Sequence, residues 1–118
     1  MKVTLMLPYP PSVNTYWRAN GKRRFISKAG VEFKQAVAEY VIQHSIHKFG
    51  DARLRVDVVI RPRSKRIFDL DNLFKGLLDS LCDAGVYDDD SQIDQLSICR
   101  GGPIAGGACL VVIEDING

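Results

Sequence analysis

From Lys2 to Leu7 polar and apolar residues alternate, with Val3, Leu5 and Leu7 on one face, which is the period of a half-buried strand. Pro8, Pro10 and Pro11 end it, because proline cannot donate to a sheet ladder. Ser12 to Arg24 is polar and reads as a loop. Ser27 can cap a helix reaching to about Lys48, whose stripe of Phe33, Ala36, Val37, Tyr40 and Val41, with Ile46 beyond it, keeps helical spacing. Gly50 and Asp51 form a turn. Leu54, Val56, Val58 and Ile60 then alternate with Arg53, Arg55, Asp57 and Val59, giving a second strand with one wet face. Arg61 to Phe68 is a basic connector. A second helix starts at Asp69, with Asp71 and Asn72 in its positive first turn. Leu70, Leu73, Phe74, Leu77, Leu78 and Leu81 make its buried face, and Gly85 sits where a glycine stop belongs. An acidic loop from Tyr87 to Gln92 leads into a third strand, Ile93 to Arg100, with Leu96 and Ile98 on one face. A glycine-rich connection precedes a last strand, Ala108 to Glu114, and Asp115 to Gly118 is a frayed tail. The order strand, helix, strand, helix, strand, strand predicts an α/β fold in which a mixed sheet of about four strands packs with two main helices.

Composition narrows the class. The 118 residues suit one domain spanning 1–118, and 46% apolar with 25% charged residues is the globular mixture. No apolar run reaches the about 18 residues of a membrane span, and the first strand lacks the apolar centre of a signal peptide. The three cysteines, Cys82, Cys99 and Cys109, are odd in number and show no CxxC spacing, which argues against a disulfide framework or structural zinc site. They are expected to fill core positions, and they fit a reducing cytoplasm.

The net charge of +2 conceals a division. Residues 1–66 hold 14 Lys and Arg against 4 Asp and Glu, whereas residues 67–118 hold 2 against 10. A basic surface attracts polyanions by counterion release, and a tight carboxylate cluster repels them unless a divalent cation intervenes. A basic surface beside an acidic spot is what a metal-dependent nucleic-acid enzyme needs. A merely solvated, unevenly charged surface is the plain alternative.

The chemistry-bearing residues lie around the second helix. Asp69 and Asp71 straddle its start and could coordinate a hard cation through oxygen. The run Asp88-Asp89-Asp90 offers a third carboxylate, but across a helix of about 15 residues, roughly 22 Å. Asp90, nearest the next strand, is the member best placed to be carried back. Lys75 is one turn after Asp71 and could steady a phosphate oxygen. Without a site, Asp69 is an N-cap, Asp71 a helix-dipole partner and Lys75 half of an i,i+4 ion pair. An EF-hand is excluded, since Ile93 stands where its loop needs glycine and Cys99 where it needs glutamate. His44 and His47 lack a partnering carboxylate and read as a helix-surface pair. Arg61, Arg63, Lys65 and Arg66 lead into Asp69, and with Arg18, Lys22, Arg23 and Arg24 they could grip phosphates. Tyr16 and Trp17 could stack on bases, or Trp17 could anchor the core. Phe68 is either an exposed wedge or a buried side chain.

Asp69-Leu70-Asp71-Asn72-Leu73-Phe74-Lys75, followed by Asp83-Ala84-Gly85-Val86-Tyr87-Asp88-Asp89-Asp90-Ser91-Gln92-Ile93, resembles the RusA-like family of Holliday junction resolvases. So does the early Pro8-Tyr9-Pro10-Pro11-Ser12-Val13-Asn14 stretch. The resemblance implies a homodimeric, Mg²⁺-dependent endonuclease (Mn²⁺ as substitute) that makes symmetric paired nicks in four-way junction DNA during recombination and repair. It implies no membrane association and no nucleotide cofactor, in a cytoplasmic protein of bacterial or phage-derived source. The family's catalytic aspartates fall on Asp69, Asp71 and Asp90, with Asp89 as competitor for the third, and its lysine on Lys75. Asn14 joins the basic residues as an expected DNA contact. Where family members can carry an unbroken arginine run up to the first aspartate, this chain has Ile67 and Phe68. Two other readings compete: a non-catalytic junction-binding protein using the basic half alone, and a metal-dependent flap or fork endonuclease.

Overall fold

The computed structural model describes residues 1–12, 17–20, 23–65 and 69–116, with backbone alone at 17–20, 23 and 24. The elements are β1 (Lys2–Leu7), β2 (Trp17–Asn20), β3 (Arg23–Ile26), α1 (Lys28–Gln43), β4 (Leu54–Arg61), a 3-10 turn (Leu70–Leu73), α2 (Phe74–Asp83), a second 3-10 turn (Asp90–Gln92), β5 (Ile93–Arg100) and β6 (Ala108–Asp115). Four strands form one mixed sheet in the order β1-β6-β4-β5, with β4 and β5 parallel and the other pairs antiparallel. The α/β class and the four-stranded sheet are as expected.

Alternation builds the core. Leu5, Leu7, Leu54, Val56, Val58, Ile60, Cys109, Val111 and Ile113 are buried on one face of the sheet. Onto that face pack Phe33, Val37 and Val41 of α1 and Leu77, Leu78 and Leu81 of α2. Each fully buried aliphatic side chain contributes about 1.5–3 kcal/mol, so this layer is the main source of stability. Ser27 caps α1, its Oγ accepting from the Gly30 amide at 3.1 Å. α2 ends at Gly85 (φ +82°), where the Val86 amide donates to the Leu81 carbonyl and the Gly85 amide to that of Cys82. These two bonds satisfy the last carbonyls of the helix, and a left-handed residue there favours glycine.

Several expectations need correction. Part of the supposed loop from Ser12 to Arg24 is the hairpin of β2 and β3, in which Asn20 pairs with Arg23. α1 stops at Gln43 rather than near Lys48, because Ser45 takes a positive φ of 47°. The second helix does not begin at Asp69. Leu70–Leu73 first forms a 3-10 turn, tied by Asn72 donating to the Asp69 carbonyl, since Asp and Asn are weak in helix interiors. The chain end is held further than expected. The Asp115 carboxylate pairs with the N-terminal amine at 2.9 Å, and the Ile116 amide donates to the Arg53 carbonyl. Of the cysteines only Cys109 is buried, and Cys99 is exposed on β5. No helix among the described residues is long and apolar enough to cross a membrane.

Candidate active site

The parallel β4–α2–β5 unit decides where each candidate residue lies. Parallel strands need a crossover, and here α2 provides it. Ile60 of β4 pairs with Arg100 of β5 at one end of the unit, and Leu54 with Ile93 at the other. The run of β4 from Leu54 to Ile60 separates these ends by about 20 Å.

At the Ile60 end Arg61 closes β4, Arg63 and Lys65 follow it out of the sheet, and Asp69 lines the same cavity as Arg63. Arg61 Nε donates to the Gly102 carbonyl at 3.0 Å. The Arg63 guanidinium lies 5.0 Å from the centre of the Tyr9 ring. Burial raises the Tyr9 phenol above its ordinary pKa, and Arg63 and Arg100 pull it down. Arg100, which sequence reasoning did not single out, therefore belongs to this basic cluster. Gly107 backs the pair: a Cβ there would stand 2.8 Å from Arg63 and 2.9 Å from Tyr9, and φ is +73°.

Asp69 precedes the 3-10 turn as its N-cap residue, yet its side chain makes no capping hydrogen bond. Its carboxylate is not spent on the local fold. Asp71 lies in the same turn and is exposed. Lys75 follows on α2, but the expected pairing with Asp71 is replaced by one with Asp79, Nζ to Oδ2 at 3.8 Å. Asp79 is the residue that sequence reasoning missed. Its signal was its place four residues after Lys75 and eight after Asp71, on one helix face. Burial raises its pKa, Lys75 opposes that, and the charge of Asp90 adds to it.

At the opposite end sits the acidic turn. Gln92 is buried and fastens it. Its Nε2 donates to the carbonyls of Gly50 (2.8 Å) and Ala52 (2.7 Å), and its Oε1 accepts from the amides of Asp88 and Asp89. Asp89 caps the turn, its Oδ2 accepting from the Ser91 amide at 2.9 Å, and those hydrogen bonds hold its carboxyl below the ordinary value. Asp90 is exposed in the first position of the turn.

Asp69 and Asp71 thus share one end of the unit with Arg61, Arg63 and Lys65, and Asp90 shares the other with α2's C-terminus. Asp90 reaches Asp79 electrostatically, part of the way along the helix. Among the described residues no three His, Cys, Asp or Glu side chains gather as a cage for a metal ion. One chain therefore does not draw Asp90 onto Asp69 and Asp71. In donor type the three carboxylates fit a hard divalent cation, which takes oxygen ligands. Asn14, Lys22, Arg66, Tyr16 and Phe68 lie outside the described residues, as do the side chains of Trp17, Arg18, Arg23 and Arg24. His44 and His47 are a surface pair occupied by aromatic neighbours, Tyr40 at 4.0 Å and Phe49 at 4.8 Å between ring centres.

Beside Asp69 opens a cavity of about 530 Å³, lined by Tyr9, Pro10, Phe33 and Ala36 together with the polar Glu32, Arg63 and Asn72.

The family model for endodeoxyribonuclease RusA matches residues 8–113. A crossover junction endodeoxyribonuclease of Enterobacteria phage HK97 is 40% identical over 112 residues, covering 95% of this chain and 93% of that protein. Proteins of the same name from Escherichia coli K12 and Enterobacteria phage 82 are 31% and 33% identical, covering 97% and 96% of this chain and 95% and 94% of theirs. The chain belongs to the RusA endodeoxyribonuclease family.

Proposed function

We propose that this protein is a Holliday junction resolvase, hydrolysing phosphodiester bonds by symmetric paired nicks in four-way DNA junctions. The observation that carries the reading is the joint position of Asp69 and Asp71 beside Arg61, Arg63, Lys65 and Arg100 at one end of the sheet. Two carboxylates amid cations make sense where a cation and a phosphate chain meet, and make little sense in a protein that merely binds DNA. The names of the relatives point to the same substrate.

Asp69, Asp71 and Asp90 would hold Mg²⁺, or Mn²⁺ in its place. An ion bound there polarises the phosphate and lowers the pKa of water. Arg61, Arg63 and Lys65 grip phosphates and set the strand's register without reading its sequence. Lys75, paired with Asp79 on α2, steadies charge developing on phosphate oxygen.

Because β4 and α2 separate Asp90 from the other two, the third carboxylate comes from a second copy of the chain. A two-fold dimer brings Asp90 of each copy to the Asp69–Asp71 pair of the other, and yields two related sites for two related strands. Asp90 suits the role better than Asp89, whose carboxylate is already used as a cap.

The test compares a synthetic four-way junction, a flapped duplex and a linear duplex, each with and without Mg²⁺. Paired nicks in the junction that require Mg²⁺ are expected. Equal cutting of the flap would point to a fork endonuclease, and binding without cutting would leave only an architectural role.

A further inference from the structure

The cavity beside Asp69 is larger than a bound cation or phosphate fills. At about 530 Å³ it falls within the range of about 300–1,000 Å³ typical of small-molecule sites. Its walls are stiff and flat. Pro8, Pro10 and Pro11 bring a segment with fixed φ, Tyr9 is pinned between Arg63 and Gly107, and Phe33 is buried at the back. Its lining also holds Asn72, one turn from Asp69, and Glu32, so a planar group inside would meet hydrogen-bonding atoms as well as apolar walls.

We infer that this cavity receives a nucleobase unstacked from the strand being cut. The inference rests on the junction-cutting reading and names what the same site does with the nucleotide next to the scissile phosphate. Asp69 belongs both to the cavity rim and to the candidate cation site, so a phosphate held there leaves its neighbouring base at the cavity mouth. Arg63 is part of the lining, and Arg61 and Lys65 stand two residues to either side of it in the chain, which suits a polyanion. At a junction's crossing point bases lose stacking partners. Extruding one there costs less than from intact duplex, and enzymes that extrude bases enclose them between apolar walls. The cavity then contributes to choosing junctions over linear DNA.

The test places 2-aminopurine, one position at a time, in the strand around the cut site and measures its emission when the protein binds in EDTA, where nothing is cut. At one position emission rises several-fold. Ala36→Leu, which fills the cavity from α1, abolishes that rise and lowers Mg²⁺-dependent cutting by about tenfold, the scale of one lost base contact. An abasic nucleotide at the same position closes the gap between Ala36→Leu and the unaltered protein. If no position brightens although the junction is bound and cut, the inference fails and the junction reading stands. If the gap persists on abasic DNA, the loss does not arise from the base and the inference likewise fails. If no junction is bound or cut, the junction reading falls and the cavity's role falls with it.

Discussion

Asp89 and Asp90 are neighbours in the chain and differ in what their carboxylates do. Asp89 accepts from the Ser91 amide and so holds the 3-10 turn in place, whereas Asp90 is exposed and its charge is felt by Asp79. Asparagine caps as well as aspartate does. Asp89→Asn is therefore expected to keep junction cutting near the unaltered rate. Asp90→Asn removes several kcal/mol of charge stabilisation in the reaction and is expected to slow cutting at least about a hundredfold with the fold intact. Single-turnover cutting rates with circular dichroism check both. Equal effects of the two substitutions would mean that the turn, and not Asp90, matters. Lys75 belongs to the same scale. Its partner is Asp79 and not Asp71, which leaves Asp71 for other work.

At the scale of elements, the Leu54–Ile93 end of the parallel pair is pinned by Arg53, whose Nε donates to both carboxylate oxygens of Asp94. That hydrogen bond lowers the Asp94 pKa. A carboxylate with a lowered folded value adds stability that is complete above its unfolded pKa and lost as pH falls through the folded one. The urea midpoint is expected to drop between pH 6 and pH 2, and Asp94→Asn to lose less over that interval; an unchanged drop would show that the pair contributes nothing. Much at this scale was legible beforehand. The alternation in β1 and β4 and the leucine stripe of α2 announce themselves, because a half-buried element must repeat its apolar residues at its own period. The hairpin of β2 and β3 was not read, since Arg18, Arg23 and Arg24 hide any apolar face and only Asn20-Gly21 signals a turn. The sequence spacing of Asp69, Asp71 and Lys75 reveals a shared helical region. That the Asp88–Asp90 run lies past the far end of α2 was legible from the helix length; that the chain does not then carry Asp90 back was not, because it depends on β5 starting at the Leu54 end and running parallel to β4.

Over the whole molecule, the basic half and the acidic half meet along one sheet. Arg61, Arg63, Lys65 and Arg100 collect with the Asp69–Asp71 pair at the Ile60 end, and the acidic turn lies at the Leu54 end. On the proposed function each end holds part of a site, and pairing with a copy of the chain about a two-fold axis would complete both. In the proposed function Asp69, Asp71 and Asp90 act together in a site shared by two copies. Mixing chains carrying Asp71→Asn with chains carrying Asp90→Asn tests it most directly. Each variant alone is expected to bind a four-way junction without cutting it. The mixed dimer unites an intact Asp69–Asp71 pair with an intact Asp90 at one of its two sites, and it regains Mg²⁺-dependent nicking of one strand. Mixed dimers that form and bind yet stay inert, or either variant cutting at the unaltered rate, would contradict the account.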